Sequence, residues 1–421
     1  MILLTGCSFP GRETEQTVQK ETLGLAPDFS YEVKTQTPNI LVNQVGYLPK
    51  SGKTAILQGQ DLESAYQVYR VGSAEPILAG ELSPAGEGLY LADFSALQEE
   101  GNYYLYQKDL GYSDSFWIKE GIYEELEIHL LNLLEKETDN TSRLCYQLAG
   151  LLFILELYSD QILEPQRIQG ILENKIAGLV KAQDEESGSV FRRTKGEREI
   201  SLAATAQFAG VMAMYAKYIQ PRDWTLAAQH QNMAQKAYNT IRDSLDNVSF
   251  DSGYFACAQL FRLTGRSSYS ETVGKYLSME ESEKSYTEYD FSLFADYGYL
   301  SGQSGINLEW SRQLMNRVRE QAAEVSKNAS RSTFYVSALR EPYETNLILR
   351  DTTVLTLINY IITNHEYSTL QKDYLDYFLG RNPRALCLVE GFGTRNVWEE
   401  GMEEINGENA ALLYLLLQTV K

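Results

Sequence analysis

The sequence predicts a two-part protein, a small β-sandwich followed by an all-α body. Three observations carry this reading. The chain has 421 residues, more than one ordinary compact core holds, so two domains are expected. Residues 39–119 break into short runs of alternating character, separated by Gly, Pro, Ser and Asp. From residue 121 the apolar period lengthens to that of helices.

Residues 1–38 stand apart from both. Leu4-Thr5-Gly6-Cys7 resembles a bacterial lipobox, in which a Cys after small residues is lipidated. The six residues before Cys7 are too few for a charged and an apolar leader region. Residues 8–38 are polar and aperiodic, as a surface tether would be. The expectation is a lipid anchor at Cys7, with several acyl chains needed for a firm hold. That places the protein outside the cytoplasm, held at a membrane or secreted.

The sandwich, residues 39–120, opens with Asn39-Ile40-Leu41-Val42-Asn43-Gln44-Val45-Gly46-Tyr47. Strands are expected at 54–57, 65–69, 88–91, 101–106 and 114–118. In the helical part, residues 121–421, Leu126, Leu130 and Leu133 share one face, as do Leu148, Leu151, Leu152 and Leu155. Ala203, Ala206, Ala209, Gly210 and Ala213 form a small-residue face suited to close packing. Further amphipathic segments lie near 226–243, 254–264, 308–325, 346–363, 366–379 and 409–420, for about ten to twelve helices in all. Periodicity alone leaves a toroid, a solenoid and a bundle open.

Composition narrows function. With 37 Lys and Arg against 57 Asp and Glu, the net charge is −20, which opposes nucleic-acid binding and suits a neutral substrate. Solubility alone also accounts for such acidity. The 29 Tyr exceed the 15 Phe and 4 Trp. Tyr can stack on sugar rings, although most are expected in strands and half-buried helix faces. Cys7, Cys145, Cys257 and Cys387 make no zinc spacing or CxxC, and the last three read as buried free thiols. His129, His230 and His365 are scattered, so neither a metal site nor a Ser-His-Asp triad is expected. No P-loop, dinucleotide fingerprint or apolar run of about 18 residues occurs, and no cofactor is expected.

The segment Ile40 to Pro49, then Asp93-Phe94-Ser95, Gly101-Asn102-Tyr103-Tyr104 and Phe116-Trp117-Ile118 are similar, in that order, to the immunoglobulin-like domain preceding many glycoside hydrolases of family nine. Lys181-Ala182-Gln183, Ser201 to Ala206 and Phe255 to Gly265 resemble segments of that family's toroid. The strongest stretch is Asp376-Tyr377-Phe378-Leu379-Gly380-Arg381-Asn382-Pro383, with Gly391-Phe392-Gly393 and Asn409-Ala410-Ala411 following. The resemblance covers roughly residues 39–421. It implies an immunoglobulin-like β-sandwich plus an (α/α)6 toroid, related to cellulase-like enzymes acting on β-1,4-glucans.

Inverting hydrolysis needs an acid and a base, with carboxyls about 6.5–9.5 Å apart. The resemblance implies Glu403 as the acid, six residues before Asn409. Its surroundings depart from the family, with Met402 for an Asn and Glu408 for a Tyr. The base falls in Asp139-Asn140-Thr141-Ser142-Arg143-Leu144-Cys145-Tyr146, where Asp139 and Tyr146 align but the base itself becomes Ser142. A hydroxyl cannot take a proton from water at neutral pH as a carboxylate can. Thr138-Asp139-Asn140 also reads as a helix N-cap. The family's His-His-Arg cluster is absent, and Arg395 partly substitutes. Tyr343 and Trp398 are candidate stacking platforms, with Tyr146 lining the same groove.

The expected function is therefore binding of a β-linked glucan or related exopolysaccharide at the cell surface, the catalytic base having been lost. Two alternatives stand beside it: an inverting endo-β-1,4-glucanase with Glu403 as acid and Asp139 as displaced base, and a non-catalytic assembly protein of polysaccharide synthesis or export.

Overall fold

The computed structural model describes residues 38–196, 198–337, 345–396 and 404–421. Strands fill its first part. A four-stranded sheet is made by β1 (Ile40–Leu41), β3 (Thr54–Gln58), β7 (Leu89–Asp93) and β6 (Ser83–Gly86), in the order β1-β3-β7-β6. A six-stranded sheet has the order β2-β10-β8-β4-β5, with β9 beside β8. Its strands are β2 (Gly46–Tyr47), β10 (Phe116–Ile118), β8 (Gly101–Gln107), β4 (Ala65–Arg70), β5 (Pro76–Glu81) and β9 (Gly111–Tyr112). The expected strands are present. β5, β6 and β9 were not expected: β6 and β9 are short, and Pro76–Glu81 of β5 carries an apolar run with Pro and Gly rather than an alternation.

Alternation sets the layers. Ile40, Val42, Ala55, Leu57 and Ala92 meet Tyr66, Val68, Tyr103, Leu105 and Phe116 in the sandwich core. On the other side of the four-stranded sheet, Leu41 and Ile56 join the apolar core of the helical part. At β1 and β3 this sheet is therefore buried on both faces.

Twelve α-helices follow among the described residues, alternating in character along the chain. The odd ones are α1 (Glu124–Glu135), α3 (Pro165–Val180), α5 (Trp224–Ile241), α7 (Ser267–Leu277), α9 (Leu308–Ala329) and α11 (His365–Phe378). They are amphipathic, with one buried stripe. The even ones are α2 (Thr141–Leu157), α4 (Leu202–Ile219), α6 (Phe250–Thr264), α8 (Ser292–Leu300), α10 (Thr345–Ile361) and α12 (Ala410–Val420). These are buried nearly all round. Each even helix packs on the next, and α12 returns to α2, closing an inner ring inside an outer one. That is the (α/α)6 toroid, which periodicity had left open: closure is a property of helix pairs, not of any one helix. Close packing in the ring explains the small-residue face of α4, since a Cβ on Gly210 would lie 2.3 Å from the Phe255 ring.

The seam between the parts is polar and buried. Asn43 Nδ2 donates to Asp376 Oδ1 at 2.8 Å, and Gln44 N donates to Leu379 O at 2.9 Å. Arg381 is fully buried, binds Asp373 at 2.7 Å and reaches Thr54 of β3. The segments that carry the family resemblance most strongly are thus the ones that lock sandwich to toroid. No described helix is long and apolar enough to cross a membrane.

Candidate active site at the toroid mouth

The N-terminal ends of five inner helices converge. Asn140 caps α2, its side chain accepting from Arg143 N at 3.1 Å, as the capping reading of Thr138-Asp139-Asn140 anticipated. Ser142 is the second residue of that helix. From the next turn, the half-buried Tyr146 packs on Tyr289 with ring centres 5.0 Å apart, and on Phe291 and Phe294. Arg143 forms an ion pair with Glu408, just before α12, and Tyr289 donates its hydroxyl to the same carboxylate at 2.6 Å. Asn409 Nδ2 donates to Asn346 Oδ1 of α10 at 2.9 Å. Arg350, one turn further along α10, pairs with Asp290 at 3.1 Å.

These groups border a cavity of about 410 Å³, walled by Tyr146, Tyr286, Tyr289, Asp290, Asn346 and Arg350 among others. Aromatic faces beside a few directed polar groups are the usual make-up of a small-molecule pocket. Behind it, the fully buried Asp251 of α6 accepts from Thr287 N at 3.1 Å and Thr287 Oγ1 at 2.5 Å, fixing the segment that carries Tyr289 and Asp290. Burial pushes the Asp251 carboxyl up, and the Thr287 hydrogen bonds oppose it. Burial, then the bond to Glu408, pushes the Tyr289 phenol up. Glu404, beside the expected acid, is pushed up by burial and then by Glu390, against Lys136.

The expected site residues are distributed as follows. Tyr146 lines the cavity. Asp139 is not among the cavity's lining residues; it precedes the cap Asn140, with its side chain 48% exposed and paired with Arg193 at 2.8 Å. Arg395 pairs with Asp114 of the sandwich at 2.8 Å, and its backbone N–H donates to Gln44. Cys7, Tyr343, Trp398 and Glu403 lie outside the described residues. Arg143, Tyr289, Asp290 and Arg350 were not singled out from sequence. One signal was available for the first: by the family resemblance Glu408 stands where a Tyr is expected, and Arg143 follows the position aligned with the base, an opposite pair of charges. Among the described residues, no group of three or more His, Cys, Asp or Glu could hold a metal ion.

A sandwich seated on a closed double ring of helices, with a cavity at the inner helices' N-terminal ends, defines the class: an (α/α)6 toroid with an N-terminal β-sandwich. The comparisons give the family. Residues 180–399 match glycosyl hydrolase family 9, and residues 35–111 match the cellulase N-terminal ig-like domain. The chain belongs to glycosyl hydrolase family 9. It is 23% identical over 460 residues to Endoglucanase D of Acetivibrio thermocellus, covering 84% of this chain and 73% of that one. In fold it is similar to a metagenome-derived family 9 endoglucanase, with TM-score 0.77 at 17% identity over 90% of this chain and 98% of the other. A thermostable endoglucanase from Alicyclobacillus acidocaldarius gives TM-score 0.74 at 18% identity, covering 88% and 89%. A family 9 protein of Bacteroides ovatus gives 0.71 at 16%, covering 91% and 98%.

Proposed function

We propose that this chain binds a β-linked glucan or related exopolysaccharide in the toroid mouth and has lost the family's hydrolytic base. One observation carries the reading: at the position the family resemblance gives to the base stands Ser142, and three of the carboxylates around the mouth are each engaged by an arginine. Asp139 pairs with Arg193, Glu408 with Arg143 and Asp290 with Arg350. A general base must have a lone pair directed at the attacking water. The cavity keeps what binding needs, namely tyrosine faces with Asn346 and Arg350 as donors. The relatives' name, endoglucanase, supports a β-glucan as the class of ligand.

We place the protein at the cell surface, anchored through Cys7. Labelling with a fatty-acid probe, lost in Cys7→Ser, tests the anchor; equal labelling of both proteins removes it.

The function is tested by a reducing-sugar assay on a panel of soluble β-glucans, run beside affinity electrophoresis in the same polymers. The expected result is retention without new reducing ends. Turnover by the wild type that disappears in both Glu403→Gln and Asp139→Asn would instead assign an inverting hydrolase with a displaced base. Neither retention nor turnover would favour a glycan-free assembly role.

A further inference from the structure

The mouth cavity combines aromatic faces with negative charge. Tyr146, Tyr286 and Tyr289 border it. Tyr146 and Tyr289 stand with ring centres 5.0 Å apart, and Tyr286 is 46% exposed. Glu281, Glu288 and Asp290 share the lining, and Arg350 is the one cation there among the described residues. Three carboxylates against one guanidinium make the described wall acidic.

The three carboxylates differ in their partners. Glu281 pairs with Lys284, whose Nζ also lies 5.2 Å from the centre of the Phe250 ring. The Tyr286 ring stands 5.7 Å from that same ring. One ammonium is thus already held beside the cavity, between a carboxylate and an aromatic face. Asp290 Oδ1 accepts from Ser292 N at 2.9 Å, which fixes the side chain at the start of α8. Its Oδ2 is buried and accepts no hydrogen bond, although Arg350 Nη2 stands 3.1 Å away. Glu288 is exposed, and the described residues give it no ion pair. Burial, then Glu408, then Glu288 push the Tyr289 phenol up, so the Glu288 charge acts within the cavity. Aromatic faces attract a cation, and carboxylates beside them add charge-assisted hydrogen bonds. A neutral sugar uses the faces and leaves the charge unanswered. An acidic sugar is repelled by these groups and by a chain of net charge −20.

We propose that the mouth selects an amino sugar, a β-linked glycan whose units carry free ammonium groups, and that Tyr286, Glu288 and Asp290 read the ammonium. This rests on the function proposed above and narrows its ligand class. The ammonium donates to Asp290 Oδ2 and to the Glu288 carboxylate, and the tyrosine faces surround it. A donor on Asp290 Oδ2 also takes a lone pair that a hydrolytic base needs, in keeping with binding without turnover.

The test is calorimetric titration of the full chain at about pH 6, below the range in which amines lose their proton. The ligands are the β-1,4-linked glucosamine tetramer, its N-acetylated form, cellotetraose and tetralysine. The first carries an ammonium on each ring, the next two keep the rings without charge, and the last keeps ammonium groups without rings. The glucosamine tetramer should bind about twofold to thirtyfold tighter than cellotetraose, the range an ammonium over aromatic faces contributes. The N-acetylated tetramer should share the weaker affinity, and added salt should shrink the difference. Glu288→Gln, an isosteric change at an exposed position, and Asp290→Asn should each lower the ratio of glucosamine-tetramer to cellotetraose affinity, with thermal melting checking the fold. Cellotetraose bound as tightly as the glucosamine tetramer overturns the amino-sugar inference and leaves the mouth a glucan site. A ratio unchanged in folded Glu288→Gln overturns the assignment of the ammonium to these residues, whether or not Asp290→Asn folds. Tetralysine bound as tightly as the glucosamine tetramer reduces the preference to general charge attraction and overturns it too. Binding of none of the sugar tetramers overturns this inference and the glycan-binding reading together.

Discussion

Replacing Ser142 with Asp is the sharpest test of why the mouth should lack turnover. The change returns a carboxyl to the second residue of α2, where the N-terminal backbone N–H groups and the helix dipole favour a negative charge by about 0.3–1 kcal/mol. The added side chain lies on a half-buried position, so the fold should tolerate it. A positioned general base contributes about 10²–10⁴ in rate, which is about 3–5.5 kcal/mol of barrier. Reducing ends released from a soluble β-glucan should rise by that factor for Ser142→Asp over Ser142→Asn, which fills the same space without a base. Adding Glu403→Gln to Ser142→Asp should erase the gain. A folded Ser142→Asp variant that binds oligosaccharide but shows no gain would refute the reasoning. The missing base would then not be what prevents hydrolysis.

Three further outcomes follow from buried groups. Asn43→Ala removes the donor to Asp376 Oδ1, leaving that buried carboxylate only Lys372 on its other oxygen, and strands the N–H groups of Val45 and Gly46, which now bond to Asn43 Oδ1 at 3.0 and 3.1 Å. It should cost about 3–5 kcal/mol, read as a lower urea midpoint; a midpoint within error of wild type would remove the seam's role. Burial raises the Asp351 carboxyl from 3.8 to about 6, against the bonds from Ser337 and Tyr374. The folded state therefore binds this proton more tightly than the unfolded one, and stability falls as pH rises from about 4 to about 6. Asp351→Asn should flatten that fall by up to about 3 kcal/mol in urea melts at pH 4 and pH 7, and an unchanged difference would contradict it. Burial pushes the Cys257 and Cys387 thiols up to about 12 and Cys145 higher still. Iodoacetamide at pH 8 should leave all three unmodified in the native protein and label them in urea; native labelling of any one would show that its burial is incomplete.

Much of the fold was legible because local pattern suffices for it. Alternation exposed β3, β4 and β8, and the 3.6-residue period exposed most helices. The helices α3, α7 and α8 were not delimited beforehand: α8 is buried all round and so has no polar stripe to mark its period. The family's strongest motif was visible at Asp376 to Pro383, and its physical role became clear only at the seam, where Asp376 meets Asn43 and Arg381 meets Asp373 and Thr54.

The sequence by itself determined the family and the order of sandwich and toroid, since each is written in contiguous runs of residues. Tertiary structure decided which charges meet. Arg143 and Glu408 are 265 positions apart, as the numbering of the two residues gives, and Asp290 and Arg350 lie on different helical hairpins. Tyr69, Tyr104 and Tyr112 become one cluster of rings only through strand register. Coulombic and stacking contacts act over a few ångströms of space, and only ring closure and sheet pairing bring such distant residues within that range.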